Sequence, residues 1–322
     1  MFYSIRHRTQ FRYSSEVSES QMEVRMHPRT EGPQRSLTFQ LSVSPKARVM
    51  SYRDYLGNTI HHFNVPGDHT ELCIVAEALV DVLPPPEVPE SLGSQAWQEL
   101  DAVVARGDYW EMLLPSQFGQ PTPALDALIQ EFDVRRREDP MTLIRELNRM
   151  MSQGFAYVPK STRVDSPIDH AIESRKGVCQ DFAHIMLALL RGLRIPSRYV
   201  SGYVCRRAQD RDRSAGGASH AWVEALLPGL GWIGFDPTNN LLAGERHIRT
   251  AIGRDYADVP PTRGIFKGGA KSELAVSVQV ALSDSLPRTE EEIAMSGDWS
   301  TFHVGDTDPD ALTLQQQQQQ QQ

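Results

Sequence analysis

Between Leu83 and Pro89 the chain reads Leu-Pro-Pro-Pro-Glu-Val-Pro, a run that no packed helix or central strand can include. Each proline fixes its own φ and lacks a backbone N–H, so the run is a stiff connector and the best domain boundary. The apolar period differs on its two sides. Before it, Tyr3, Ile5, His7, Thr9, Phe11 and Tyr13 alternate with Ser4, Arg6, Arg8, Gln10 and Arg12, the period of a half-buried strand. Leu37, Phe39, Leu41 and Val43 repeat the pattern, and Asp54-Tyr55-Leu56-Gly57-Asn58 offers turn chemistry between Tyr52 and Ile60. Residues 1–83 are therefore expected to form a β domain, with residues 84–121 a linker and helical connector.

After the linker the pattern turns helical. Thr122-Pro123, Asp139-Pro140 and Ser166-Pro167 each place a capping side chain before a proline at the first helical position. Leu125, Leu128, Ile129 and Phe132 follow the first, and Leu143, Ile144, Leu147, Met150 and Met151 follow the second, which ends near Gly154. The third helix is short and stops before Gly177. These stripes read as core packing. No glycine-rich phosphate loop precedes a helix, so no nucleotide cofactor is expected.

Reactive groups concentrate between Gly177 and Thr238. From Cys179 to Leu193, Phe182, Ile185, Met186, Leu189, Leu190 and Leu193 recur at helical spacing. Gln180, His184 and Arg191 fall on the opposite face, which reads as solvated. Cys179 lies in the first turn, at the edge of the apolar stripe. There a helix N-terminus favours a thiolate, and unpaired N–H groups can hold an oxyanion. Gly177 lets the chain turn sharply into the helix.

His220 to Leu226 alternates as a strand, with His220, Trp222 and Glu224 on one face and Ala221, Val223 and Ala225 on the other. Pro228-Gly229-Leu230-Gly231 reads as a tight turn, and Trp232 to Phe235 as the antiparallel partner that ends at Asp236-Pro237. A hairpin of that length brings Asp236 beside His220. Singly, each residue has a plainer reading: a buried structural cysteine, a satisfied strand histidine, an Asp-Pro turn. Together, in the order Cys179, His220, Asp236, they supply the nucleophile, base and orienting acid of thiol catalysis. The Cys179 backbone N–H is the expected oxyanion donor, with Tyr157 or Gln180 a candidate second one. For Tyr157, ordinary core packing is an equal reading.

Four blocks, Gly177-Val178-Cys179-Gln180-Asp181-Phe182-Ala183, Arg194-Ile195-Pro196-Ser197-Arg198-Tyr199-Val200-Ser201-Gly202-Tyr203, His220-Ala221-Trp222-Val223-Glu224 and Phe235-Asp236-Pro237-Thr238, resemble the transglutaminase-like superfamily core. More narrowly, they resemble its bacterial branch with an added N-terminal β domain, and the resemblance runs from the N-terminus to about residue 282. It implies an α+β chain: a papain-like/transglutaminase-like core over residues 122–270 with an N-terminal antiparallel β-sandwich. It also implies Cys179 as nucleophile, His220 as base and Asp236 as orienting acid. Members of this architecture are often associated with ATP-grasp-type ligases, which implies a peptide-modifying system as partner. One departure stands out. The animal cross-linking enzymes carry tryptophan directly after the catalytic cysteine, where this chain has Gln180, so their calcium-dependent activity is not carried over.

The expected reaction is cleavage or transfer of a peptide or isopeptide amide through a Cys179 thioester. Hydrolysis, by a protease or amidase, is favoured over protein-glutamine transglutaminase activity, because nothing identifies a dedicated amine site. A non-catalytic peptide-binding module would have no chemical need for all three groups. A metal centre built from Cys179, His184 and His220 is disfavoured by the placement of His184 away from the face that carries Cys179. His61, His62 and His69 have no thiol or carboxylate at ligand spacing and read as surface histidines.

A net charge of -8 argues against nucleic acid as partner, despite Arg135-Arg136-Arg137. Three cysteines, Cys73, Cys179 and Cys205, leave an odd one and suggest a reducing compartment. Met1 to Tyr13 holds no apolar signal region and no run is long and apolar enough to span a bilayer, so the expected location is the cytoplasm. Leu274, Val276, Val278, Val280 and Leu282 alternate, which predicts a strand over 271–282 returning to the N-terminal sheet. The Arg254–Pro261 loop falls within the resemblance, but its residues show no role. From residue 283 an acidic and polar stretch ending in Gln315–Gln322 reads as a disordered tail. Asp306, Asp308 and Asp310 begin like a calcium loop, but Ala311 replaces the glycine and Gln317 the glutamate, so no metal is expected there.

Overall fold

The computed structural model describes residues 1–206, 212–213 and 217–283. Of the tail expected from residue 283, Ser283 ends a strand instead, and residues 284–322, with the aspartates and glutamines, lie outside the described residues. Strands β1 (Phe2–Val24), β2 (Gln34–Ser44), β3 (Met50–Arg53) and β4 (Thr59–Val82) precede the proline run. Helices α1 (Ala96–Ala105), α2 (Pro123–Glu131) and α3 (Pro140–Gly154) follow it. Then come β5 (Ala156–Tyr157), α4 (Ile168–Ser174), β6 (Lys176–Gly177) and α5 (Cys179–Gly192). β7 (Ser197–Val204), β8 (His220–Leu227), β9 (Gly231–Asp236), β10 (Leu241–Leu242) and β11 (His247–Gly253) make a second sheet, and β12 (Thr262–Lys267) and β13 (Ser272–Ser283) close the described chain.

The alternation in β1 is realised: Tyr3, Ile5, His7, Thr9, Phe11 and Tyr13 are all buried. The six strands of this region form one antiparallel sheet in the order β12-β1-β4-β2, with β13 also on β1 and β3 also on β4. β1 is long enough to serve two partners on one edge. Phe2–Tyr13 pairs with β13 and Glu19–Val24 with β12. Between Arg12 and Glu19 the register against β4 breaks, which is where a strand bends. Phe11, Leu72, Ile74 and Leu274 from one half share a core with Met22, Val24, Phe63 and Val65 from the other. The layered domain is thus a single sheet folded on itself. His69 lies inside it rather than on its surface, with one ring nitrogen against Ser20 Oγ at 2.8 Å and the other against the Gly67 carbonyl at 2.8 Å.

The second sheet runs β10-β9-β8-β7-β11, antiparallel throughout. Helix α5 packs on its β8 and β7 strands: Phe182, Ile185, Met186 and Leu189 share one core with Ala221, Val223, Ala225 and Tyr199. Thr122 and Asp139 cap α2 and α3 as their dipeptides require, Thr122 Oγ1 accepting from the Leu125 N–H and Asp139 Oδ1 from the Met141 N–H. Ser166-Pro167 behaves differently. Pro167 itself is the flanking residue of α4, and Ser166 Oγ accepts from the Arg163 N–H behind it.

The solvated face expected for α5 does not exist. His184 and Arg191 are buried, because the Arg254–Pro261 loop and Phe118 cover that side. Phe118 stacks on the His184 ring at 5.0 Å, and the Tyr256 N–H donates to His184 Nε2 at 3.2 Å. Burial holds His184 neutral, its pKa lowered to about 3. Arg191 donates to Ser116 Oγ, the Ser197 carbonyl and the Arg254 carbonyl, which pins the same loop. Asp255 completes the arrangement by accepting from the Phe118 N–H at 2.9 Å.

The two sheets meet through an apolar seam of Tyr3, Ile5, Val80, Tyr203, Cys205, Ile248 and Val278. Side-chain amides add to it. β11 is the outer strand of the second sheet, and its outward peptide groups are satisfied by two buried residues of the first domain. Gln34 exchanges hydrogen bonds with the N–H and carbonyl of Arg249 at 2.8 and 2.9 Å, and Asn58 does so with Ile252 at 2.8 Å each. No helix among the described residues is long and apolar enough to cross a membrane.

Candidate active site

Cys179 occupies the first helical position of α5. Its backbone N–H has no intrahelical acceptor at that position. The preceding Val178 cannot cap with its own side chain, and the helix is instead closed from inside: Asp181 Oδ2 accepts from the Val178 N–H at 2.8 Å and from Thr162 Oγ1 at 2.5 Å. Burial raises the Asp181 pKa, and these two hydrogen bonds oppose the rise. Gly177 does not take a left-handed φ, so the expected sharp turn is not its contribution. It is needed for closeness: a Cβ there would sit 3.0 Å from Asp181 Cβ, Asp181 Oδ2 and Phe182 Cε1.

β8 and β9 bring His220 and Asp236 together as their hairpin spacing implies. His220 Nε2 lies 2.8 Å from Asp236 Oδ2, with His220 at 4% and Asp236 at 0% exposure. That carboxylate is saturated. Oδ1 accepts from the backbone N–H groups of Thr238 at 3.0 Å and Asn239 at 3.2 Å. Oδ2 also accepts from Asn239 Nδ2 at 2.8 Å and His247 Nε2 at 3.2 Å. Burial works against both charges in the pair and is outweighed. His220 is raised to about 10, chiefly by the Asp236 carboxylate and further by Cys179. Asp236 is held well below the usual carboxylate range by the two imidazoles. Nδ1 of His220 is buried with no oxygen or nitrogen partner, and Cys179 lies near enough to the ring to add to its basicity.

Tyr157 stands beside this helix entry. Its backbone pairs with Gly177 across the parallel β5–β6 bridge, and its ring meets Phe182 edge-on at 6.4 Å. Gln180 is half-buried, and its Nε2 donates to the Val164 carbonyl at 2.8 Å, tying a loop to the turn that holds Cys179. The residues missed from sequence are Asn239 and His247, the other side chains on Asp236, and Tyr199, whose buried phenol is pushed well above its usual pKa by burial, with Cys179 adding to the effect. No local motif announces His247. Only the pairing of β11 with β7 brings it to a carboxylate eleven residues earlier.

His220, Asp236 and His247 form the one group of three donors close enough for a shared metal ion among the described residues. Their existing hydrogen bonds leave little for a cation. The Gly244 N–H donates to His247 Nδ1 at 3.2 Å, so Nε2 carries the proton of the neutral ring and points at Asp236. A cavity of about 270 Å³ flanks the site, walled by Ser219 and Tyr256 on one side and His7, Thr9, Leu274 and Val276 on the other; Cys179 and His220 are not in its wall.

Residues 3–81 match the family model described as the bacterial transglutaminase-like N-terminal region, and residues 127–237 match that of the transglutaminase-like superfamily. An uncharacterised protein of Mycobacterium leprae (strain TN) is 31% identical over 275 residues, covering 85% of this chain and 96% of that protein. A protein-glutamine gamma-glutamyltransferase of Pseudomonas aeruginosa is 30% identical over 174 residues, 49% of this chain and 25% of its own length. Among solved structures, a Cytophaga hutchinsonii protein provisionally described as a cysteine protease superposes with a TM-score of 0.68 at 24% identity. That superposition covers 89% of this chain and 93% of the other, and it shows a shared fold.

Proposed function

The chain belongs to the transglutaminase-like superfamily, and from that premise we propose that it is a thiol enzyme acting on peptide or isopeptide amides. One observation carries the reading: His220 gives Nε2 to a saturated Asp236, its Nδ1 is buried, and Cys179 adds to the basicity of the same ring. The thiol proton has already passed to His220 Nδ1, giving a thiolate and an imidazolium, and the Cys179 thiolate attacks the amide carbonyl carbon. The imidazolium so formed is held by Asp236 and returns the proton to the leaving amine as the C–N bond breaks. Water, deprotonated by His220, then attacks the thioester, and the acid leaves with the thiol restored. The Cys179 N–H is one oxyanion donor in this reading, with Tyr157 or Gln180 as the second.

Hydrolysis is favoured over amine transfer, because nothing in the sequence identifies a dedicated amine site. The name of the Pseudomonas relative supports transfer as the alternative, and both share the acylation step. Cys73, Cys179 and Cys205 are all free thiols, which supports a reducing compartment such as the cytoplasm. The test is turnover of a peptide library with and without added primary amine, on wild type and Cys179→Ala. The expected result is release of free acid without amine and a loss of about three or more orders of magnitude in the variant. Near-native turnover by Cys179→Ala overturns the assignment, and product only in the presence of amine overturns hydrolysis.

A further inference from the structure

Asp236 serves two histidines, and the superfamily match ends at residue 237, before the second of them. We propose that His247 is a positioning residue for the Asp236–His220 pair: its Nε2–H fixes Asp236 Oδ2 under His220 and shares that oxygen's charge, so that the imidazolium forms yet still gives its proton back. This inference rests on the thiol-enzyme reading above.

The direction of the hydrogen bond is not a matter of choice. A backbone N–H can only donate, so Gly244 makes His247 Nδ1 an acceptor. A neutral imidazole carries one N–H, which is then on Nε2, facing Asp236 Oδ2 at 3.2 Å. Burial keeps this ring neutral and lowers its pKa; Asp236 acts against that effect and the His220 and Arg246 charges act with it. The ring is also clamped, edge-to-face on Trp222 at 5.2 Å and 75°, while His220 lies over the same indole at 6.1 Å. The remaining charged groups near His247 are Glu224 and Arg249, which line a cavity with it and are paired with each other at 3.2 Å.

A carboxylate that gave its whole charge to His220 would hold the imidazolium too firmly to act as an acid toward a leaving amine. A fixed donor on the same oxygen draws off part of that charge and costs no reorganisation during the reaction. Removing the donor should therefore make His220 more basic and slow the proton's return, while leaving substrate binding alone.

Two substitutions separate this role from packing. His247→Asn keeps an acceptor for the Gly244 N–H, but its amide is too short to reach Asp236. His247→Gln places an N–H group where Nε2 stood. The readout is the rate of iodoacetamide alkylation of Cys179 in the full chain, followed across the pH range by mass spectrometry, with kcat and KM on a cleaved peptide. In His247→Asn the alkaline limb, set by loss of the His220 proton, should move up by about one pH unit. Its kcat should fall roughly ten-fold with KM within about two-fold of wild type. His247→Gln should restore both. A limb that stays put or moves down in His247→Asn overturns the inference, as does a His247→Gln profile that follows His247→Asn. Nitrogen-15 NMR of wild type provides a check that no folding defect can disturb: His247 should be a neutral Nε2–H tautomer at neutral pH, and a charged or Nδ1–H ring overturns the inference. A wild-type Cys179 that alkylates no faster than Cys73 overturns this inference and the thiol-enzyme reading together. A wild-type Cys179 that does react fast, with an unshifted His247→Asn, overturns this one alone.

Discussion

His220 is buried, yet its pKa is raised rather than lowered. What replaces water is a carboxylate that accepts five hydrogen bonds, three on Oδ2 and two on Oδ1. The consequence is a pH dependence with a definite sign. A histidine in an unfolded chain titrates near 6.5, whereas folded His220 is raised to about 10. A raised folded pKa means that the charged ring's contribution to stability is complete below about pH 6.5 and is lost as pH climbs through 10. Wild type should therefore lose thermal stability across that interval. Asp236→Asn removes the partner that raises His220, so its midpoint should fall less over the same range. Parallel slopes for the two proteins would mean that the ring is not charged in the fold. The same substitution should lower kcat by about 10³–10⁴ with a modest change in KM, because an amide can select the wrong imidazole tautomer and cannot stabilise imidazolium. An unchanged kcat would leave Asp236 as a turn residue.

At the scale of the element, α5 depends on its first turn. A Cβ at Gly177 meets Asp181 and Phe182 at 3.0 Å, and Asp181 is the group that closes the helix around Cys179. Gly177→Ala should cost about 1–3 kcal/mol in urea unfolding, the usual range for overfilling a packed site. It should also slow Cys179 alkylation, since the helix start must shift to make room. A variant that unfolds and alkylates like wild type would show that the turn can give. This helix also marks how far the sequence could be read. Its length, its start at Cys179 and its apolar face were legible, as was the hairpin that pairs His220 with Asp236, because both rest on local period and turn chemistry. The opposite face was misread, since His184 and Arg191 are polar residues at the spacing of a solvated stripe. They are buried by Phe118 and the Asp255–Tyr256 turn, which arrive from more than sixty residues away on either side. His247 was missed for the same physical reason. Its partner is chosen by sheet pairing, and sheet pairing across a crossover leaves no local trace.

At the scale of the whole molecule, the N-terminal domain does more than adjoin the one that carries Cys179. β11 is an outer strand, and an outer strand normally leaves alternate N–H and carbonyl groups unpaired. Here Gln34 and Asn58 answer those groups at Arg249 and Ile252 with side-chain amides, each matching a donor to a carbonyl and a carbonyl to a donor. Both side chains are buried, so neither bond competes with water. The strand they hold is the one that delivers His247 to Asp236. Asn58→Ala leaves the N–H and carbonyl of Ile252 buried and unanswered, and frees Arg29 Nη1 and Asp54 from the same amide. The expected cost is about 1–3 kcal/mol for each buried backbone group left unsatisfied, measured by urea unfolding. Gln34→Ala should cost less, because the Arg249 carbonyl keeps the Arg29 N–H and only the Arg249 N–H is left unanswered. Gln34 and Asn58 also share Arg29, whose carbonyl accepts from Gln34 and whose Nη1 donates to Asn58, so the double variant should depart from the sum by about 0.5 kcal/mol or more. Activity supplies the second arm. If the first domain steadies the site through β11, both variants should lower kcat while leaving Cys179 in place, and the His247 tautomer should become less uniform. Full kcat in a destabilised Asn58→Ala protein would confine these amides to holding the domains together.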